Sequence, residues 1–305
     1  MTEFTVAAVQ AAPEFLDREA SIDKACGLIA EAASQGASLI GFPEGFVPGH
    51  PGWVELLPFD DRAVGLGRRL FLEALEIPGP GLARIQDACR EGSIAAVVGA
   101  CERRSGTTGT LFNTQVVIDE HGVVVGKHQK LVPTVGERLF HGPGGTGSSC
   151  AFPTGIGTVS TLICGENSNP LAQYAALVEY PVVHVASWPQ HFSASVPMPP
   201  VITMVSQGLA YSMKAFVINA VSTVSEAMLE AYGTGPEADF LRDRAAQGRA
   251  SVVAPTGQVI AQAEDGDEQL VYARIDTDSV IVPKMVHDYA GHYNRPELFA
   301  HLFEG

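Results

Sequence analysis

The chain has 305 residues, 46% apolar and 17% charged, with a formal net charge of −15. That balance describes a protein with a substantial core, not a disordered chain. Its acidity repels phosphate backbones, which excludes nucleic acid as an expected partner.

The opening residues "MTEFTVAAVQ" carry an acid and turn strand-like at once, unlike a basic leader with an apolar core. "FTVAAVQAA" (4–12) reads as a strand, followed by an amphipathic stretch at 19–34 with Ile22, Ala25, Cys26, Ile29 and Ala33 at helical spacing. "ASLIGFPE" (37–44) is a second strand. A long segment to Leu75, a break at "IPGPG", another helix and "IAAVVGAC" (94–101) continue a βαβα rhythm, which implies a sheet with crossover helices. "LFNTQVVIDEHGVVVGKHQK" (111–130) then reads as two strands joined at Glu-His-Gly, and "ASVVAPTGQVIAQA" (250–263) as a second hairpin, with "EQLVYARID" (268–276) a further antiparallel candidate. "GIGTVSTLICG", "VVHVASWP" and "AFVINAV" are buried-strand patterns, and "NPLAQYAALVEY" is helical. No composition shift marks a linker, so residues 1–305 read as one mixed α/β domain. The stretches 189–200 and 225–248 read as surface insertions. Two uncharged stretches, 142–165 and 181–213, are interrupted by glycine, serine and proline, so no membrane span is expected.

The cysteines, at 26, 89, 101, 150 and 164, are odd in number and show no C-x-x-C spacing. A disulfide framework is not expected, and a cytoplasmic location is. Cys164 differs from the others in context. It ends the apolar run "TVSTLI" and precedes Asn167, Ser168 and Pro170, residue types that start helices. A thiol at such an elbow is presented to solvent beside backbone N–H groups, which stabilise developing negative charge. A buried core cysteine is the plain alternative. Glu44 and Lys130 likewise stand where apolar strands end, a place usually taken by solvated boundary residues.

Together these three residues, in "FPEGFVPGHP", "KHQKLVPTVGERLFHG" and "LICGENSNPLAQY", resemble the nitrilase superfamily and its Glu-Lys-Cys triad. The likeness runs from "VAAVQAAP" to "HDYAGHYNRPELF". "CGENSNPLA", "PTVGERLFHGPG" and the insertion after "PGHPGW" are most similar to the true nitrilase branch.

The resemblance implies an α-β-β-α sandwich, two mixed sheets between helical layers, and hydrolysis of a small-molecule nitrile to acid and ammonia. Cys164 is then the nucleophile, Glu44 the general base, and Lys130 the cation that lowers the thiol pKa and steadies charge on the intermediates. Glu137, seven residues after Lys130, is the implied fourth member; an exposed glutamate beside Arg138 is its plain alternative. Among candidate substrate-binding residues, Gly165 offers a backbone N–H and Trp188 a pocket wall. Glu166 is either pocket wall or structural support, and Trp53 is a wall or an interface anchor; core packing is the bland reading of both tryptophans. No cofactor is required. "GPGGTGSS" (142–149) lacks the Gly-Lys of a phosphate loop, and the histidines show no metal-ligand spacing. The alternatives are an amidase or N-carbamoyl hydrolase with the same triad and a non-enzymatic scaffold. The resemblance also implies a homodimer or larger assembly. The chain stops at Gly305 without the long tail of many microbial nitrilases, which leaves filaments open.

Overall fold

The first strand shows how the chain sorts its side chains. In β1 (Glu3–Gln10) Val6 and Ala8 face one way, Ala7 and Val9 the other, and all four are buried. A strand apolar on both faces belongs inside a sheet covered twice. The computed structural model describes residues 3–243 and 247–303.

In α1 (Arg18–Ser34), Asp17 caps the start by accepting from the Ala20 N–H, and Ile22, Ala25, Ile29 and Ala32 turn inward. The chain returns as β2 (Ala37–Gly41), parallel to β1. Next come α2 (Asp61–Glu73), the short β3 (Leu75–Glu76) and α3 (Pro80–Gly92), which begins on a proline and ends on Ser93 in the left-handed region. β4 (Ala95–Arg103), β5 (Leu111–Ile118) and β6 (Val124–Gln129) form an antiparallel meander. β7 (Ala151–Thr154) and β8 (Gly157–Ile163) make a hairpin. A 3-10 turn and α4 (Pro170–Leu177) lead to β9 (Val183–Trp188), α5 (Met198–Met213) and β10 (Phe216–Val221). After α6 (Glu226–Tyr232), β11 (Ser251–Val253), β12 (Val259–Gln262) and β13 (Gln269–Asp276) precede α7 (Ile281–Val286).

The two expected sheets are two halves of one hydrogen-bonded ladder. One half runs β6-β5-β4-β2-β1-β13 and the other β7-β8-β9-β10-β11-β12, with β3 beside β4. A single register pair, Gln10 with Val221, joins them. The halves stack: Val6, Ala8, Leu39 and Val97 share one core cluster with Leu162, Val185 and Ile218. Gly41 permits that approach, because a Cβ there would lie 2.8 Å from a Val185 methyl. Ala7, Val9 and Ile40, on the opposite face, pack on Ile22, Ile29 and Ile85 of α1 and α3. Helices α4 and α5 cover the second half through Ala176, Ile202 and Leu209. The result is the helix–sheet–sheet–helix sandwich.

The two stretches expected as surface insertions are only partly on the surface: 194–197 and 234–236 are exposed, but other segments are packed. Gln190, His191, Met228, Tyr232, Leu241 and Gln247 are buried. Their polar groups bond to one another, as when Gln190 Nε2 donates to the Tyr232 hydroxyl at 3.0 Å, so polarity of composition did not mean exposure. Residues 244–246 of the second stretch lie outside the described residues. No helix among the described residues is long and apolar enough to cross a membrane.

Candidate active site

Glu44, Lys130 and Cys164 each stand where a strand has just ended, and Glu137 stands on a turn beyond Lys130. Glu44 follows β2 in a loop held by both halves, with the Phe42 N–H donating to Val97 and the Glu44 N–H to Trp188 (2.8 and 3.4 Å). Lys130 directly follows β6, its N–H donating to the Asn113 carbonyl at 2.8 Å. Glu137 lies on a 3-10 turn, Val135–Leu139, where its carboxylate accepts from the Thr134 N–H at 2.9 Å. Cys164 follows β8 and has φ of +50°, a conformation that costs a non-glycine residue energy and turns the chain sharply.

The charged groups form one buried knot. Lys130 Nζ donates to Glu44 Oε1 at 2.8 Å and to Glu137 Oε2 at 2.7 Å. Asn113 Nδ2 donates to the same two carboxylates, at 2.7 Å each. His141 Nδ1 lies 2.9 Å from Glu137 Oε1. Burial opposes the charge on Lys130, but the two carboxylates outweigh it and hold the pKa above its ordinary value. Burial likewise opposes ionisation of Glu137, and Lys130 with His141 overcomes it, so that carboxyl is held well below its usual range. Glu44 Oε2 is buried without a protein partner. An acceptor left free in this way is available to a reacting proton.

Cys164 faces the same cavity as Glu44, Lys130 and Glu137, with further walls from His50, Glu55, Pro189, His191 and Phe192. The thiol pKa lies well above its ordinary value: burial raises it most, Glu44 adds to the rise, and Lys130 and the Gly165 N–H pull the other way without prevailing. Lys130 lowers the thiol pKa, as expected, but burial and Glu44 outweigh it. The thiol rests protonated, because burial and the nearby carboxylates together oppose its ionisation more than the lysine favours it. The expectation of a solvent-presented thiol is corrected, since the residue is half-buried within the cavity.

Glu44, His50 and Glu137 bring ligand atoms within 4.8 Å of one another. The Lys130 ammonium already bridges the two carboxylates, which is the position a metal cation would take.

Of the other candidates, Gly165 directly follows the thiol, and its N–H acts to lower the thiol pKa. Glu166 is a brace: its carboxylate accepts from the Leu131 and Ile163 N–H groups at 2.7 and 3.0 Å and lies 2.9 Å from His128 Nε2. Neither tryptophan side chain lines the cavity. Trp188 packs in the inter-sheet core and donates to Asn219 at 3.0 Å, and Trp53 packs against Phe15 and Phe140. Asn113 and His141 were not singled out from sequence. An asparagine inside the apolar strand "LFNTQVV" was the available signal for the first, and four-residue spacing from Glu137 for the second.

The sequence profile of the carbon–nitrogen hydrolases matches residues 5–282. A nitrilase of Pseudomonas syringae pv. syringae is 34% identical over 98% of this chain and 89% of its own. An aliphatic nitrilase of Rhodococcus rhodochrous is 34% identical over 97% of this chain and 81% of its own. The crystal structure of a carbon–nitrogen hydrolase from Helicobacter pylori G27 superposes with a TM-score of 0.76 at 16% identity, covering 100% and 99% of the two chains. The chain belongs to the carbon–nitrogen hydrolase family.

Proposed function

We propose that the protein is a nitrilase, converting an organic nitrile to the carboxylic acid and ammonia through a covalent adduct on Cys164. The observation that carries the chemistry is the free Glu44 Oε2 in the cavity that also holds the thiol. Full-length similarity to proteins named nitrilase supports the substrate class. Glu44 takes the thiol proton as sulfur attacks the nitrile carbon, and that proton passes to the nitrogen, giving a thioimidate. Lys130 opposes the negative charge that develops on the nitrogen. Water, deprotonated by Glu44, adds to the same carbon, and Glu44 passes that proton to the nitrogen. The C–N bond then breaks and ammonia leaves. A second water hydrolyses the thioester, breaking the S–C bond and returning the thiol. Glu137 fixes the Lys130 ammonium, and the whole chain serves as one catalytic domain. A panel of matched nitriles and amides, with ammonia measured, tests the reading. Release from nitriles is expected; release from the amides alone would replace this reading with an amidase.

A homodimer or larger assembly is part of the proposal. Exposed apolar side chains support it: Leu171 and Tyr174 of α4 and Met204 and Tyr211 of the adjoining α5, and Val282 and Met285 of α7. Light scattering at micromolar concentration is expected to give at least twice the chain mass. Five free cysteines fit a reducing, cytoplasmic setting.

A further inference from the structure

Beneath the nucleophile lies a buried polar chain to which the proposed chemistry assigns no task. Asn167, His184 and Ser160 are all fully buried. Asn167 Nδ2 donates to the carbonyls of Leu162 and Cys164, at 3.1 and 3.0 Å. Carbonyls only accept, so the amide nitrogen must face them and Oδ1 must face the other way. There it meets His184 Nε2 at 2.9 Å, so Nε2 carries the proton and donates. Nδ1 is then bare and accepts from the Ser160 hydroxyl at 2.8 Å. Burial holds His184 neutral, pushed down to about 3, which agrees with that single tautomer. Hydrogen-bond logic thus fixes every orientation in the chain, from strand β8 through β9 to the turn.

The end of the chain matters because of what it grips. The Cys164 carbonyl and the Gly165 N–H belong to one planar trans peptide, in which C=O and N–H point in opposite directions. Pulling the carbonyl towards Asn167 therefore aims the N–H away from Asn167, on the side where it acts on the thiol. Cys164 holds this orientation at a φ of +50°, so the peptide needs a restraint to stay there.

We propose that Asn167, oriented by His184 and Ser160, is a positioning residue that aims the Gly165 N–H at the anionic atom of the tetrahedral intermediates formed on Cys164. This rests on Cys164 being the nucleophile, as proposed above. The relay consists of neutral hydrogen bonds, so it holds the turn without adding charge beside the thiol.

The test separates hydrogen bonding to a tetrahedral oxygen from simple thiol reactivity. Propionaldehyde adds reversibly to a thiol: an S–C bond forms and the thiol proton ends on oxygen, placing that oxygen where the N–H points. Its affinity is read as protection of Cys164 from iodoacetamide, followed by mass spectrometry. Iodoacetamide itself reacts at a saturated carbon, displaces iodide and builds no such oxygen. Asn167→Ala is expected to weaken aldehyde affinity about tenfold or more, and to slow unprotected alkylation by a clearly smaller factor, the part the Gly165 N–H contributes to the thiol pKa. His184→Leu should show the same split more weakly, and His184→Gln, which keeps an N–H donor, should restore affinity. If Asn167→Ala does not fold, the two His184 variants decide. Aldehyde affinity unchanged in Asn167→Ala or His184→Leu, a parallel loss of affinity and alkylation, no rescue by glutamine, or no protection of the wild type overturns the inference. The nitrile reading fails separately, if the wild-type enzyme releases no ammonia from any nitrile while aldehyde protection persists.

Discussion

Lys130 and Cys164 each stand directly after a strand, but the surroundings that hold them differ in kind. Around Lys130, in the first half of the sheet, two carboxylates, an asparagine and a histidine bind one ammonium. Around Cys164, in the second half, the bracing groups are neutral apart from Glu166: an asparagine amide, a histidine held uncharged and a serine hydroxyl. The first region holds its members by charge and the second by backbone geometry. A buried ion-pair knot is stable only when complete, because each ion left behind costs several kcal/mol. A neutral relay forfeits far less when one link is lost. The halves should therefore fail differently.

The largest effect is expected at the nucleophile. Cys164→Ala should reduce ammonia release by about 10⁴-fold or more with unchanged circular dichroism, because no covalent adduct forms. Residual turnover within a hundredfold of wild type would remove Cys164 from the mechanism.

Lys130→Leu probes the knot. It strands the Glu44 and Glu137 carboxylates against each other, so activity should fall about 10³-fold and unfolding free energy by about 3 kcal/mol. Lys130→Arg keeps the charge with a different donor geometry and should recover most of the stability but little of the activity. If urea denaturation of Lys130→Leu matched wild type, the knot would have no structural role and the contrast between the halves would disappear.

A third measurement sharpens the electrostatics. Only the thiolate is alkylated, and burial with Glu44 raises the Cys164 pKa above that of an ordinary thiol. The iodoacetamide rate at Cys164 in the free enzyme should therefore keep climbing from pH 7 past pH 9. A plateau below about pH 8.5 would mean that Lys130 outweighs burial after all. Peptide mapping must separate this signal from Cys26, the other half-buried thiol.

The smallest effect is expected at Trp188. Trp188→Phe loses the hydrogen bond to Asn219 within a packed core and should cost about 1 kcal/mol of stability. The ranking of nitriles should not change. A reordered ranking would return the indole to the pocket wall.

Sequence reading reached those features that depend on local pattern. Apolar runs ending at Glu44, Lys130 and Cys164 were visible as such, and their order carried the family resemblance. Asn113 was not visible as a partner, because its role depends on meeting Glu44 and Glu137 across different elements. His184 sits in a strand whose burial predicts nothing about its neighbours, so the relay to Asn167 was equally hidden. The tryptophans misled because a strand end marks a position near the site, not the direction of a side chain. Trp188 gives its carbonyl to the Glu44 loop while its ring turns into the core. The protonated thiol was beyond reach for a similar reason: the sign of its shift depends on whether burial and the carboxylates outweigh Lys130.

The partnership of β1 also sets an order of events during synthesis. Its eight residues pair along their whole length with β13, from Glu3 opposite Asp276 to Gln10 opposite Gln269. A nascent chain carrying Glu44, Lys130 and Cys164 must therefore wait, with the edge of β1 open, until the last strand of the ladder emerges. Contacts so distant along the chain form slowly, and an open edge strand is a site for pairing with other chains. All three triad members are made long before the ladder that carries them can close.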